Sequence, residues 1–323
     1  MMNLSVIIPV FNEVESLPLL HQAIHQALDP LDIVWEAVLV DDGSTDGSQK
    51  VLEDLAEADP EHMTVVLLRR NFGQTASIAA GIDHSQGDII VLSDADLQND
   101  PADIPMMLEK INDGYDVVSG WRINRQDTFI TRTLPSRMAN GLISWVTGVH
   151  LHDYGCTLKA YRREVLTGFR LYGEMHRFIP VYARMVGAKM IEVPVHHHAR
   201  RFGKAKYGLG RTIKVVLDLF TVKFLLSYSA KPIYLFGGAG IFLMGVSVLT
   251  ILYAIIDRLF ITGLHLNRNP LLTLSVMLFS LGFQSILMGL IAEQLARTYH
   301  ESQDKPTYTV QRVIRKQPNP ESS

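Results

Sequence analysis

Residues 233–256 carry no charged side chain, and neither do residues 271–292. A helix rising ~1.5 Å per residue over such a run reaches across a hydrocarbon core about 30 Å thick. Two buried core helices are the rival reading. Both runs are apolar on every face, however, and they hold Gly237, Gly238, Gly240, Gly245, Gly282 and Gly289, which membrane helices tolerate. The expectation is a two-helix transmembrane hairpin, with spans at 232–257 and 271–292 and a link too short for a domain. Among strong cations the link holds only Arg258 and Arg268. Arg211, Lys214, Lys223 and Lys231 precede the hairpin, and Arg297, Lys305, Arg312, Arg315 and Lys316 follow it. The positive-inside bias therefore predicts an inner-membrane, multi-pass chain with both termini in the cytoplasm, and no basic, apolar leader opens the sequence.

The remaining chain reads differently. Of 323 residues 47% are hydrophobic, and the excess sits in the two runs, so the first two hundred have a globular composition. A net charge of −3 gives no basic footprint for nucleic acid. The single cysteine, Cys156, has no partner within the chain for a disulfide and reads as a small buried residue. Up to about residue 116, short β-branched runs at 4–10, 35–40, 64–68 and 88–92 alternate with amphipathic stretches at 15–28, 46–58, 74–84 and 101–112. This rhythm predicts an α/β domain with a mostly parallel sheet and crossover helices over residues 1–210.

Ligands of open α/β sheets bind at the carboxyl ends of the strands. At the end of the fourth run stand Asp94-Ala95-Asp96-Leu97-Gln98: two carboxylates one residue apart, with a neutral oxygen two further on. Such an incomplete set of hard oxygens suits Mg²⁺ or Mn²⁺ and leaves positions for a diphosphate. A solvated acidic loop is the ordinary reading of an isolated Asp-x-Asp. After the second run, Asp41-Asp42-Gly43-Ser44-Thr45-Asp46 offers acceptors for a nucleoside and a cap for the next helix. No G-x-G-x-x-G follows the first strand and no P-loop occurs, which argues against a dinucleotide site and a Walker nucleotide site. Consecutive His196, His197 and His198 cannot all face one ion from a strand end, so zinc is not expected there.

Taken together, Ile7-Ile8-Pro9-Val10-Phe11-Asn12-Glu13, Asp41-Asp42-Gly43-Ser44, Arg70-Asn71-Phe72-Gly73 and Asp94-Ala95-Asp96-Leu97-Gln98 stand in the order and spacing of the family 2 glycosyltransferases. The chain resembles their polyprenyl-phosphate branch, which includes dolichol-phosphate mannosyltransferases and undecaprenyl-phosphate glycosyltransferases. Asp153-Tyr154-Gly155-Cys156-Thr157, Tyr161 to Glu164, His197, Arg200, Gly203, Lys206, Tyr207 and the hairpin extend the likeness. The wording is nearest to undecaprenyl-phosphate 4-deoxy-4-formamido-arabinose transferases. Two departures are Asn99-Asp100-Pro101 in place of a double proline and Ala205 in place of a serine.

The resemblance implies a GT-A fold, a nucleotide-diphosphate sugar donor (UDP-linked, with GDP-mannose as the alternative), and inversion at the anomeric carbon. On that basis Asp96 and Gln98 ligate Mg²⁺ or Mn²⁺ and Asp94 supports the ribose or the metal shell. Pro9, Phe11, Glu13, Asp41, Asp42 and Arg70 bind the donor. Asp153 orients substrate or metal, because a phosphate monoester is already largely dianionic at neutral pH and needs no strong base. Arg122, Arg137, Arg200 and Lys206 hold phosphate and acceptor, although a basic segment next to a membrane also serves simply to meet anionic lipid. Residues 211–231 form an amphipathic juxtamembrane stretch and 293–323 a cytoplasmic tail. Implied partners are polyprenyl phosphate, membrane lipid, a flippase, a downstream glycosyltransferase and a second copy of the chain. A processive polysaccharide synthase is disfavoured, since neither its Gln-x-x-Arg-Trp signature nor enough spans are present. A non-catalytic nucleotide-sugar scaffold is the reading from another class.

Overall fold

A computed structural model describes residues 3–123, 140, 141, 143, 144, 147–167, 171, 175–199, 233–261, 269–302 and 308–315. Two compact units are present: Met1–Val222 with Pro306–Ser323, and Lys223–Lys305.

In the first unit, β1 (Asn3–Val10), β2 (Val34–Asp41), β3 (Met63–Leu68) and β4 (Ile89–Leu92) alternate with α1 (Leu17–Leu28), α2 (Ser48–Ala58) and α3 (Gln74–His84). After β4 come a 3-10 turn (Pro101–Asp103), α4 (Ile104–Asn112), β5 (Val117–Trp121), β6 (Lys159–Arg162), α5 (Arg163–Leu166), α6 (Ile179–Met185) and β7 (Met190–Pro194). The β-branched runs become strands because both of their faces are covered: every side chain of β3 and β4 is buried. On α1, Leu17, Leu20, Ile24 and Leu28 recur at helical spacing and face the core with Leu4, Val6, Ile8 and Val10 of β1. Each such buried side chain contributes roughly 1.5–3 kcal/mol of transfer free energy.

The sheet order is β7-β5-β6-β4-β1-β2-β3-β8. β1 pairs in parallel with β2 and with β4, so the chain winds outward through β2 and β3 and then crosses to the other side of β1. That reversal is a topological switch point, and it opens a crevice between the carboxyl ends of β1 and β4. Two antiparallel strands make the mostly parallel sheet a mixed one. β6 inserts between β4 and β5, and β8 (Val310–Ile314) pairs with β3. Residues read from sequence as tail therefore complete the sheet; the tail's alternating Val310, Arg312 and Ile314 carried too little periodicity to announce a strand.

The second unit contains α7 (Ile233–Ile256), a π-helical turn (Asp257–Ile261) and α8 (Pro270–Ser302). Gly240 and Gly282 face each other: a Cβ on either would lie 2.6–2.7 Å from the other's carbonyl oxygen. The two backbones approach closely only because both positions lack side chains. Ser247 and Ser285 add hydrogen bonds across the pair, to the carbonyls of Ser275 and Phe236. Only 17% of the most apolar stretch of each helix is buried, the reverse of a soluble core helix, and both are candidate membrane spans.

Candidate active site

The loops at the carboxyl ends of β1 and β2 are laced together. Asn12, at φ 53°, receives a hydrogen bond on its side chain from the Thr45 amide (2.8 Å) and donates its own amide to Ser44 Oγ (2.9 Å). The Glu13 amide donates to Ser48 Oγ and the Val14 amide to Asp46. Asp41 accepts from the Ser44 amide and from Gln49 Nε2 (2.8 Å). Asp42 accepts from the amides of Phe72 (2.7 Å) and Gly73 (2.9 Å), and burial nevertheless pushes its carboxyl above the ordinary range. Gly43 follows Asp42 at φ +71°, where a Cβ would lie 2.7 Å from the Arg70 carbonyl carbon. The glycine serves both the turn and the close approach of the Arg70-Asn71 backbone. These residues were expected to line a nucleoside pocket. The structure engages Asp41 and Asp42 in holding three loops in register, which pre-forms the crevice wall, while Pro9, Phe11 and Glu13 lie half-buried beside it. Arg70 is exposed, its guanidinium 4.2 Å from the centre of the Phe72 ring.

Across the crevice, Asp94 and Asp96 leave the end of β4, both half-buried. Asp94 accepts from Gln74 Nε2 (2.9 Å), and Asp96 accepts from the Gln98 amide (3.1 Å) around Leu97, which sits at φ 57°. Burial first, and the Asp96 charge second, push the Asp94 carboxyl up to about 6. Two carboxylates that repel one another at a strand end make hard-oxygen donors whose charge a divalent cation would relieve, while the Gln98 side-chain amide donates to the His198 carbonyl at 3.5 Å. The residues fit Mg²⁺ or Mn²⁺. Gln98 is pinned by β7's continuation: the His198 amide donates to the Gln98 carbonyl (2.9 Å), and Asn99 bridges His197. The neighbouring histidines diverge as expected, His196 to Asp103 and His198 to Asp100. Asp100, which departs from the double-proline pattern, is thereby paired and also caps the 3-10 turn through the Ala102 amide.

Asp153 is buried and grips Arg122 through two hydrogen bonds, Nε to Oδ2 at 2.7 Å and Nη2 to Oδ1 at 3.0 Å, while accepting the Gly155 amide at 3.1 Å. The pair expected to act separately, on substrate and on phosphate, forms one bidentate unit. Of the other expected phosphate ligands, Arg137, Arg200 and Lys206 lie outside the described residues, as does the 211–231 stretch. Two cations not singled out from the sequence stand here instead. Lys159 is buried where β6 pairs with the end of β4, opposite Leu92, and donates to the carbonyls of Tyr154 and Cys156. Burial lowers its affinity for a proton. Arg177 Nη1 lies 3.8 Å from where a Gly155 Cβ would be, and Arg122 Nη2 3.2 Å from the same point. The short strand Lys159-Ala160-Tyr161-Arg162 gave no advance signal for a buried Lys159. Arg177 gave none, because it comes from a segment remote in sequence. Cys156 is fully buried, and burial pushes its thiol up, as a packing residue requires.

Residues 5–169 match the family described as Glycosyl transferase family 2. The chain is a family 2 glycosyltransferase. A protein named dodecaprenyl-phosphate galacturonate synthase, from Rhizobium johnstonii, is 41% identical over 97% of this chain and 93% of its own. An undecaprenyl-phosphate 4-deoxy-4-formamido-L-arabinose transferase from Sodalis glossinidius is 40% identical over 97% and 94%. Among solved structures, glucosyl-3-phosphoglycerate synthase from Mycobacterium tuberculosis, in complex with Mn²⁺, UDP and phosphoglyceric acid, aligns with a TM-score of 0.53 at 20% identity, over 69% of this chain and 78% of its own. This glycosyltransferase thus has a GT-A-like fold followed by two apolar helices.

Proposed function

We propose that this glycosyltransferase moves a single sugar from a nucleotide-diphosphate donor, UDP-linked, to polyprenyl phosphate at the cytoplasmic membrane face, with inversion and with a divalent cation. One observation carries the reading: the Asp94-Asp96 pair lies at the switch point of a chain whose full-length relatives are named for transfer to prenyl phosphates. Undecaprenyl phosphate is the acceptor of this proposal. The two relatives are named for different sugars at nearly equal identity, so sugar choice rests on a few residues around the crevice.

Asp94, Asp96 and Gln98 would hold the cation, which when bound neutralises charge on the departing nucleoside diphosphate. The laced loops at Asn12, Asp41, Asp42 and Gly73 fix the donor's side of the crevice without reorganisation on binding. Asp153 positions the Arg122 guanidinium, and Lys159 and Arg177 add positive charge around Gly155, where an anionic nucleophile meets an anionic donor. The acceptor phosphate enters largely deprotonated, so Asp153 is not required as a base. Arg137, Arg200 and Lys206 complete phosphate binding from segments outside the described residues.

β8 supports the membrane topology. The chain leaves the first unit after Val222 and returns to the same sheet at Val310–Ile314, which is consistent with two spans and a tail on the side of the catalytic unit. The positive-inside bias favours the cytoplasmic side for both. A flippase and a downstream glycosyltransferase would consume the product.

The test is purified enzyme in lipid or detergent with undecaprenyl phosphate and a panel of UDP- and GDP-sugars, scored for glycolipid. Product is expected from one UDP-sugar, lost on chelation, restored by Mg²⁺ or Mn²⁺, and reduced at least ~10²-fold in Asp96→Asn. Glycolipid formation that survives chelation refutes the metal role. Donor binding without product from any donor favours a scaffold, and product from GDP-mannose alone favours the mannosyltransferase reading.

A further inference from the structure

A second cluster lies at the opposite ends of the strands, away from the Asp94-Asp96 crevice. His21 and His25 are spaced i, i+4 on α1, so they share a face and reach the same point in space. That point is Asp59, which follows the last residue of α2. His21 Nε2 lies 3.2 Å, and His25 Nε2 2.9 Å, from one and the same oxygen, Asp59 Oδ2. All three ligand atoms lie within 4.8 Å of one another, the only such group among the described residues.

The surroundings hold these donors in place. Asp29 accepts from His25 Nδ1 at 2.9 Å, which directs Nε2 toward Asp59. His62 Nδ1 lies 3.0 Å from the other oxygen, Asp59 Oδ1, leaving Oδ2 to the two α1 histidines. The His62 ring stacks on Trp35 with centroids 4.1 Å apart, and His25 meets the same indole edge-on at 4.9 Å. A carboxylate behind a histidine and an aromatic wall beside it are the outer-shell supports that metal-binding imidazoles use. With Zn–N near 2.0–2.1 Å, neighbouring ligands of a tetrahedral ion stand about 3.3 Å apart, and the two Nε2–Oδ2 separations here are 3.2 and 2.9 Å.

We propose that His21 Nε2, His25 Nε2 and Asp59 Oδ2 form a Zn²⁺-class transition-metal site, with water in the fourth position. Two imidazoles and one carboxylate select a borderline ion, whereas the all-oxygen set at Asp94, Asp96 and Gln98 selects Mg²⁺ or Mn²⁺. The site clips α1 to the α2–β3 connection, and it is separate from the sugar-transfer chemistry. Without metal, the same groups form a hydrogen-bonded cluster, with both ring nitrogens of His25 2.9 Å from a carboxylate oxygen.

The experiment uses the full-length enzyme in detergent at pH 7.5, stripped by chelation and then saturated with Mg²⁺. Zn²⁺ is titrated by calorimetry and Co²⁺ by its visible absorption. One Zn²⁺ per chain is expected in the parent and in Asp96→Asn, with at least ~10-fold weaker binding in His25→Gln, in His21→Asn and in Asp29→Asn. Co²⁺ should show the intense absorption of a four-coordinate site. X-ray absorption of the Zn²⁺-loaded parent, which needs no variant to fold, should show the outer-shell scattering of two imidazoles. Sugar transfer under Mg²⁺ should be unchanged in His25→Gln. Parent-like Zn²⁺ affinity in His25→Gln, loss of the site in Asp96→Asn, or an all-oxygen scattering shell would each overturn the assignment.

Discussion

Replacing Asp94 by asparagine should stabilise the metal-free folded protein while removing activity. Its carboxyl is pushed from an ordinary value of 3.8 up to about 6, by burial and then by Asp96. Because the folded value is the higher one, the folded chain binds the proton more tightly than the unfolded chain does. Stability from this group is therefore present below pH 3.8, declines as pH rises through the interval, and reaches its full deficit above pH 6. Each pH unit corresponds to ~1.4 kcal/mol, so the ionised carboxylate costs about 3 kcal/mol. Asparagine keeps an oxygen to accept from Gln74 Nε2 and carries no charge. Allowing for its less favourable amino group, the gain is ~1–3 kcal/mol, or about 2–10 °C in a catalytic unit of this size. Thermal unfolding in detergent with a chelator should show that gain at pH 8 and a smaller one at pH 5. Saturating Mg²⁺ should shrink the variant's advantage, since an ion at 100 times its Kd stabilises the parent by ~2.7 kcal/mol and the weakened variant by less. A variant no more stable than the parent at pH 8 without metal, or a gap that ignores pH, would refute the electrostatic account of this site.

Two further substitutions and a truncation probe separate contacts. Asp153→Asn leaves the Arg122 guanidinium, 13% exposed, without its charge partner, and should destabilise by about 3 kcal/mol or more. Its lost activity should not return as pH is raised, whereas recovery at high pH would restore Asp153 to the role of base. Gly240→Leu places a side chain against the Gly282 carbonyl and should split the hairpin, read as loss of a cysteine cross-link engineered between α7 and α8; an unchanged cross-link would contradict the close packing. Truncation before Tyr308 uncovers residues 65–68 of β3 and removes the Tyr308 hydroxyl's bond to Asp83 (2.8 Å), so size-exclusion chromatography should show aggregation; a monodisperse truncated enzyme would show β8 to be dispensable.

Much of this protein was legible locally. Two charge-free runs announced the apolar hairpin, β-branched runs alternating with amphipathic ones announced the wound sheet, and Asp94 with Asp96 announced the crevice, because each signal is complete within a dozen or two neighbouring residues. The His21-His25 spacing was equally readable, but its third ligand was not: Asp59 joins it only when α1 packs beside the end of α2. The bidentate Asp153–Arg122 pair, the burial of Lys159 opposite Leu92 and the closing of the sheet by β8 also depend on residues far apart in the chain. Hydrophobic periodicity tells a segment which face to bury and not which neighbour it will meet. Strand order and register make that choice, and they are fixed only when the whole core packs at once.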